Sequence, residues 1–367
     1  MRPRRGGGGD RPTATRRGGV VALAAGALLV VASVPRFGAP TYTLEPGYTD
    51  HMRHEYSAWG FLHMGFDVFR VPLEDWSVHA QHVHTLWPQL PVIYPPGLPV
   101  AFLPFGVASN EGLLPDGRVH MLMVMLLGAS AVAASFQLFR TLRLTHETGL
   151  AIVLGALGTI LFLTWGLDGF VDPLAAGLAL LGIYWAERGA AGRGLVALSV
   201  ALSLQFRLWY LWPVAIALVV RRRRELRGWQ LGVSAVLAAA AATAFALAVP
   251  SLAKLHEIRV EPNPLALTGG VGTEQAIALG LGGALLGIVW SLEGVAPAAS
   301  VALVLALIFG VDQWEAWYPI LLLPLLVVVR NRSAQAAVTV AFLQLVLYLG
   351  GFPNVLRSVH LYVDAVR

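Results

Sequence analysis

Residues 194–220 read GLVALSVALSLQFRLWYLWPVAIALVV, 27 residues set between Arg193 and the block Arg221 to Arg224. Two full crossings of a bilayer need roughly 40 residues, and one needs roughly 20. A single crossing would strand four consecutive arginines on the side opposite Arg193 and invert everything downstream. The economical reading is a re-entrant pair of short helices with its apex near Gln205, Phe206 and Arg207. A polar residue at that depth is tolerated only where protein or water surrounds it, so Arg207 is expected to face an internal cavity. The competing reading is one long tilted span with Arg207 snorkelling to the interface.

The same apolar character recurs along the chain. Of the 367 residues 56% are apolar and only 13% charged, about half the charged share a soluble domain carries. Runs of roughly 16 to 21 residues, bounded by charge or Gly/Pro, match the ~20 needed to cross the hydrocarbon. Spans are expected at 19–34, 119–139, 149–165, 169–186, 230–249, 275–290, 295–311, 316–329 and 334–350. The expected fold is thus an all-α polytopic membrane protein of about nine full spans plus the re-entrant hairpin at 194–220. No internal repeat is visible, which removes support for transporter-style halves.

Charge placement sets the expected orientation. With the N-terminus in the cytoplasm, 17 of the 26 Lys and Arg fall inside: six in the tail, then Arg140, Arg143, Arg188, Arg193, Arg221 to Arg224, Arg227, Arg330 and Arg332. That is the positive-inside pattern. Sixteen of 21 acids and nine of ten histidines fall outside, so polar chemistry is expected there. Residues 1–18 form a basic, disordered cytoplasmic tail, and 19–350 the membrane domain. Within it lie a large outer loop at 35–118 and a smaller one at 251–274. Residues 351–367 make a short outer tail. The first apolar stretch reads as a retained helix rather than a cleaved signal, and the expected location is the plasma membrane. Basic residues sit in short clusters with no long basic face, which argues against nucleic acid. With no cysteine in the chain, disulfides, thiolate metal sites and Cys nucleophiles are excluded.

The first outer loop carries Tyr48-Thr49-Asp50-His51-Met52-Arg53-His54-Glu55-Tyr56, running on to Ala58, Leu62, Gly65, Asp67 and Phe69. Helical spacing places Asp50, His54 and Arg53 on adjacent faces, with Tyr56, Trp59 and Phe61 on the apolar side. An amphipathic helix at the interface is expected; in the plainer alternative Asp50 is only an N-cap. Further on, Leu90-Pro91-Val92-Ile93-Tyr94-Pro95-Pro96-Gly97 fixes an extended backbone ahead of a short apolar helix, Leu98 to Val107. His79, His82 and His84 lie close together, as do His51 and His54, and leave a divalent metal site open without the spacing that would establish one. Asp168 and Asp172 flank an outer turn, where capping before Pro173 accounts for Asp172 as well as a cavity role does.

In order and motif the chain resembles the GT-C superfamily of membrane glycosyltransferases, and most closely its bacterial branch related to polyprenyl-phosphate-mannose-dependent enzymes. The resemblance rests on Asp50-His51-x-x-His54-x-Tyr56-x-Ala58, on Leu62-x-x-Gly65-x-Asp67-x-Phe69, and on Tyr94-Pro95-Pro96. The hairpin with its basic residue and Trp314-Glu315-Ala316-Trp317-Tyr318-Pro319 complete it. It implies a GT-C-like bundle and a single outer-loop carboxylate, here Asp50, as general base, with Glu55 as outside candidate. It also places Arg207 beside the lipid phosphate. His51 departs from the aromatic or acid common at that place, which puts metal use in doubt.

The residues support this expectation independently. Outside the cytoplasm there is no nucleotide-sugar pool, and no Gly-rich phosphate fingerprint is present. An activated sugar on that side is carried on lipid. Transfer needs one base for the acceptor hydroxyl and cations for the departing phosphate. Arg53, Arg207, Lys254, His256 and Arg259 are the available cations, with His54, Glu55 and Tyr94 as further substrate contacts. The expected partners are a polyprenyl-phosphate hexose (mannose by the resemblance), a glycan, lipid or protein acceptor, and membrane lipid. A transporter or flippase of a lipid-linked or small solute is the alternative, and a non-catalytic scaffold the third.

Overall fold

The computed structural model describes residues 50–76, 90–167, 169–252, 265–267, 270–311 and 317–348. The expected first span at 19–34, the tail at 351–367, and Lys254, His256 and Arg259 lie outside them. Among the described residues the fold is all helical, without a strand.

Among the described residues twelve α-helices follow one another: α1 Asp50–Met64, α2 Gly97–Asn110, α3 Asp116–Thr145, α4 Thr148–Leu167, α5 Asp172–Glu187 and α6 Ala191–Leu204, then α7 Trp212–Arg222, α8 Gly228–Leu252, α9 Thr273–Glu293, α10 Val295–Gly310, α11 Pro319–Val328 and α12 Arg332–Tyr348. Four are long and apolar enough to cross a membrane, at Gly117–Thr145, Thr148–Leu167, Gly228–Ser251 and Gln275–Glu293. The expected spans at 169–186, 295–311, 316–329 and 334–350 are also represented by helices within the described residues, but shorter ones. The 10 residues of α11 rise about 15 Å, half a hydrocarbon core. Tyr318 and Pro319 open that helix, and proline at its first position sets the start later than the apolar run suggested.

The core forms where α4 and α5 both pack on α3, α6 packs on α5, and α11 inserts beside α5. Every residue of α11 from Pro319 to Val327 is buried, as a helix apolar on all sides requires. At the crossing of α5 and α6, a Cβ on Gly194 would sit 2.7 Å from the Gly182 carbonyl oxygen. Only glycine permits that backbone approach. By contrast α8 and α9 bury just 22% and 11% of their most apolar windows. Val236, Val249, Ile277 and Leu281 stand exposed there, a surface suited to hydrocarbon rather than water.

The helix over 194–220 breaks where the expected apex lies. Gln205 is extended, at φ −145° and ψ 117°, and a 3-10 turn, Phe206–Leu211, leads into α7. Leu198 on α6 and Val214 and Leu218 on α7 line one cavity, so the chain doubles back. Arg221 and Arg222 thereby return to the end of the bundle that holds Glu187 and Arg330. At that end Arg332 pairs with Glu147 at 2.7 Å. Gln335 Nε2 donates to the carbonyls of Thr145 at 2.6 Å and Val329 at 2.9 Å. The opposite end gathers α1, α2, the start of α5, the Gln205 break and Tyr318.

Candidate functional site

Helix α1 begins at Asp50 and is enclosed rather than laid on a surface: residues 53 to 60 are all buried. The chain after α1 folds back as two 3-10 turns, Gly65–Phe69 and Leu73–Asp75. Trp76 then stacks on Tyr56 with ring centroids 4.7 Å apart. On the other side α2 packs so closely that a Cβ on Gly106 would lie 2.9 Å from the Glu55 carbonyl oxygen and 3.0 Å from the Trp59 nitrogen. The expected polar face is therefore covered by the loop and by α2. Gly106→Ala pushes backbone against backbone and should cost about 1–3 kcal/mol, seen as a lower melting temperature in detergent. Gly117→Ala, which meets nothing within 4 Å, should leave it unchanged.

Burial redistributes the roles of the polar residues on α1. Arg53, 1% exposed, donates from Nη2 to the Pro91 carbonyl at 3.0 Å. Its charge thus holds residues 90–92 against α1, where the Val92 amide also donates to the Val68 carbonyl at 2.9 Å. His54 is equally buried, edge-on to Tyr94 at 4.9 Å and tilted against Phe102 at 5.6 Å. Neither of its ring nitrogens has a hydrogen-bond partner. Burial first, and the Arg53 charge second, lower its pKa to about 3, so the ring is neutral and packs as an aromatic.

That shift has a sign. Between pH 6.5 and about 3 the unfolded chain binds a proton at His54 that the folded chain refuses. Stability is full above pH 6.5 and declines as pH falls through that window. His54→Phe should preserve the packing and flatten the decline, as read from melting temperatures between pH 7 and 5. An unchanged slope would remove His54 as its cause.

Glu55 meets His120, in the first turns of α3, with Oε2 and Nε2 2.9 Å apart. The two side chains are 8% and 11% exposed. This pair ties α1 to the first of the long apolar helices. The sequence marks His120 only as an imidazole just inside one end of an apolar run.

From Tyr94 the site extends to the break at Gln205. Tyr94-Pro95-Pro96 delivers Gly97 directly against Ser203, in the last turn of α6; any Cβ at position 97 would collide with that residue. Two residues on, Gln205 Nε2 donates to Asp172 Oδ1 at 3.0 Å, and Asp172 is 1% exposed. A carboxylate in the first turn of α5 is favoured by the helix dipole, and here it also holds the break. Arg207 is half-buried. Its guanidinium carbon lies 3.8 Å from the centroid of the Tyr318 ring, and Nη2 donates to the Tyr318 hydroxyl. Trp317 continues the aromatic wall, with centroids 4.4 Å from Phe170 and 5.5 Å from Trp165.

The described part of the site is thus a chain of contacts at one end of the bundle. It runs from α1 through Tyr94 and Gly97 to the Gln205–Arg207 turn and Tyr318. Asp50 is the first residue of α1, while its side chain and that of His51 lie outside the described residues, as do His79, His82, His84 and Asp168. Among the described residues no group of three or more His, Asp or Glu is placed to hold a metal ion. No family model, no curated protein and no solved structure matches this chain.

Proposed function

We propose that the chain is an integral-membrane glycosyltransferase that moves a hexose from a polyprenyl-phosphate donor to an extracytoplasmic glycan, lipid or protein acceptor. The observation that carries this reading is the convergence of three separate sequence motifs at one end of the bundle. These are the Asp50 helix, the Tyr94-Pro95-Pro96 segment whose next residue, Gly97, packs on Ser203, and the Arg207 turn stacked on Tyr318. The arginine-rich helix ends lie at the other end. In this reading the residue 194–220 hairpin is re-entrant, the spans number about nine, and the Asp50 end faces outward across the plasma membrane.

The acceptor oxygen attacks the anomeric carbon, and the bond from that carbon to the phosphate oxygen breaks with inversion. Asp50 takes the hydroxyl proton, and the bonding electrons leave with the polyprenyl phosphate. One base suffices for such a displacement, unlike the two-carboxylate hydrolases. Arg207 meets the charge developing on the leaving phosphate. Held over an aromatic ring and partly out of water, a guanidinium acts there more strongly than in solvent.

Orientation has a direct check, because the chain has no cysteine of its own. A cysteine at Leu113, exposed beside α2, should react with a membrane-impermeant maleimide added to intact cells. A cysteine at Arg224, at the basic end, should react only after the membrane is opened. The reverse pattern contradicts an extracytoplasmic site. Solute movement across sealed vesicles with no glycosidic product would instead favour a transporter.

A further inference from the structure

The basic end of the bundle holds a cavity of about 420 Å³ that the proposed transfer leaves unused. That is within the range of small-molecule sites. Its walls are apolar, from Ile183 on α5, Leu198 on α6, Val214 and Leu218 on α7, and Val328 on α11. Its rim carries Arg221, Arg222 and Arg330 together with Glu187 and Glu293.

Both glutamates are already engaged by the protein. Glu187 accepts from Arg330, and Glu293 accepts the backbone N–H of Arg330 at 2.8 Å and that of Asn331. Arg222 donates to Glu225 at 2.7 Å, an exposed pair of the kind that exchanges cheaply. Arg221, also on the rim, makes no hydrogen bond or ion pair with the described residues. The next two residues, Arg223 and Arg224, are arginines as well.

A site with an uncommitted guanidinium at its mouth and hydrocarbon walls behind it matches a molecule that is anionic at one end and apolar at the other. A free phosphate satisfies the rim and leaves the walls wet. We propose that this cavity binds the head group of an anionic membrane phospholipid. Its phosphate lies on Arg221, with Arg222 joining by release from Glu225, and its acyl chains run along Val214, Leu218 and Val328. The proposal rests on the membrane reading above, which puts this end at the cytoplasmic leaflet, where basic pockets between helices meet anionic lipid.

The test uses the full chain in a neutral detergent, titrated with phosphatidylglycerol or phosphatidylcholine, with bound lipid counted by native mass spectrometry. One saturable phosphatidylglycerol is expected, and weak phosphatidylcholine binding. Arg221→Gln with Arg222→Gln should weaken phosphatidylglycerol about 30-fold, at about 1 kcal/mol for each arginine. Arg143→Gln with Arg188→Gln removes the same charge from exposed positions outside the cavity and should leave binding unchanged. Ala217→Trp, on the cavity wall, keeps every charge and should abolish it.

Equal binding of the two lipids, or equal loss in both double variants, overturns the site. So does displacement of phosphatidylglycerol by glycerol 3-phosphate at matching concentration, which would mark a soluble-anion site. If Ala217→Trp does not fold, the two arginine pairs still decide. Alkaline extraction of the membranes checks insertion separately: a chain washed out overturns the membrane reading, and one retained without lipid preference overturns this site alone.

Discussion

Asp50→Asn is expected to lower hexose transfer by about 10²–10⁴-fold, the usual contribution of a positioned general base, with no loss of membrane insertion or thermal stability. The asparagine keeps the size of the side chain and a hydrogen-bonding oxygen at the first residue of α1, so capping survives the change. What disappears is the capacity to take the acceptor's proton. A purely capping role predicts the opposite pattern, with activity retained by the asparagine variant and stability lost in Asp50→Ala. Measuring turnover and melting temperature for both variants separates the two. Glu55→Gln offers the internal comparison. Glu55 is buried against His120, so its substitution should cost about 1–3 kcal/mol of stability by disturbing that pair, while the surviving enzyme transfers at close to the original rate.

Arg207→Gln should reduce kcat by about 10²–10³-fold, the scale on which one preorganised electrostatic partner of a transition-state charge acts. The structural reason is the position of the guanidinium, half-buried at a helix break and held by Tyr318. Arg207→Lys keeps the charge but not the planar group that stacks on the ring, and should fall between wild type and the glutamine variant. Tyr318→Phe retains the ring and removes the hydroxyl that Arg207 meets. Its effect should be the smallest of the three, about tenfold or less. If Arg207→Gln raises KM for the donor and leaves kcat intact, the arginine binds the lipid phosphate without stabilising its departure.

What the sequence made legible follows from which forces act locally. The helices at 119–139, 149–165, 230–249 and 275–290 are set by apolar runs of bilayer length, and helices stand at each of those places. The break at Gln205 was legible because 27 residues between two arginine clusters fit neither one crossing nor two. The ends of α11 were less so: a proline at its start outweighs the apolar run around it. The enclosure of α1 could not be read locally, since Trp76, Pro91 and Gly106 cover it from 12 to 42 residues beyond its end at Met64 in sequence order. For the same reason the contacts of Arg53 with the Pro91 carbonyl and of His54 with Tyr94 and Phe102 have no local signal in the chain. The same limit hid the Glu55–His120 pair, 65 residues apart, and the seating of Arg207 on Tyr318, 111 residues away. Neither partner choice has a periodic signal in the chain.

Hexose transfer from a lipid-linked donor can be assayed directly. Purified protein in liposomes is given a radiolabelled polyprenyl-phosphate hexose, mannose first, with an extract of envelope glycans and lipids as acceptor. Label is expected in a new glycosidic product, in step with release of polyprenyl phosphate, and both should be lost together in Asp50→Asn. Product formed equally well by the asparagine variant, or no product from any lipid-linked hexose by a folded and inserted wild-type chain, would contradict the proposed transfer.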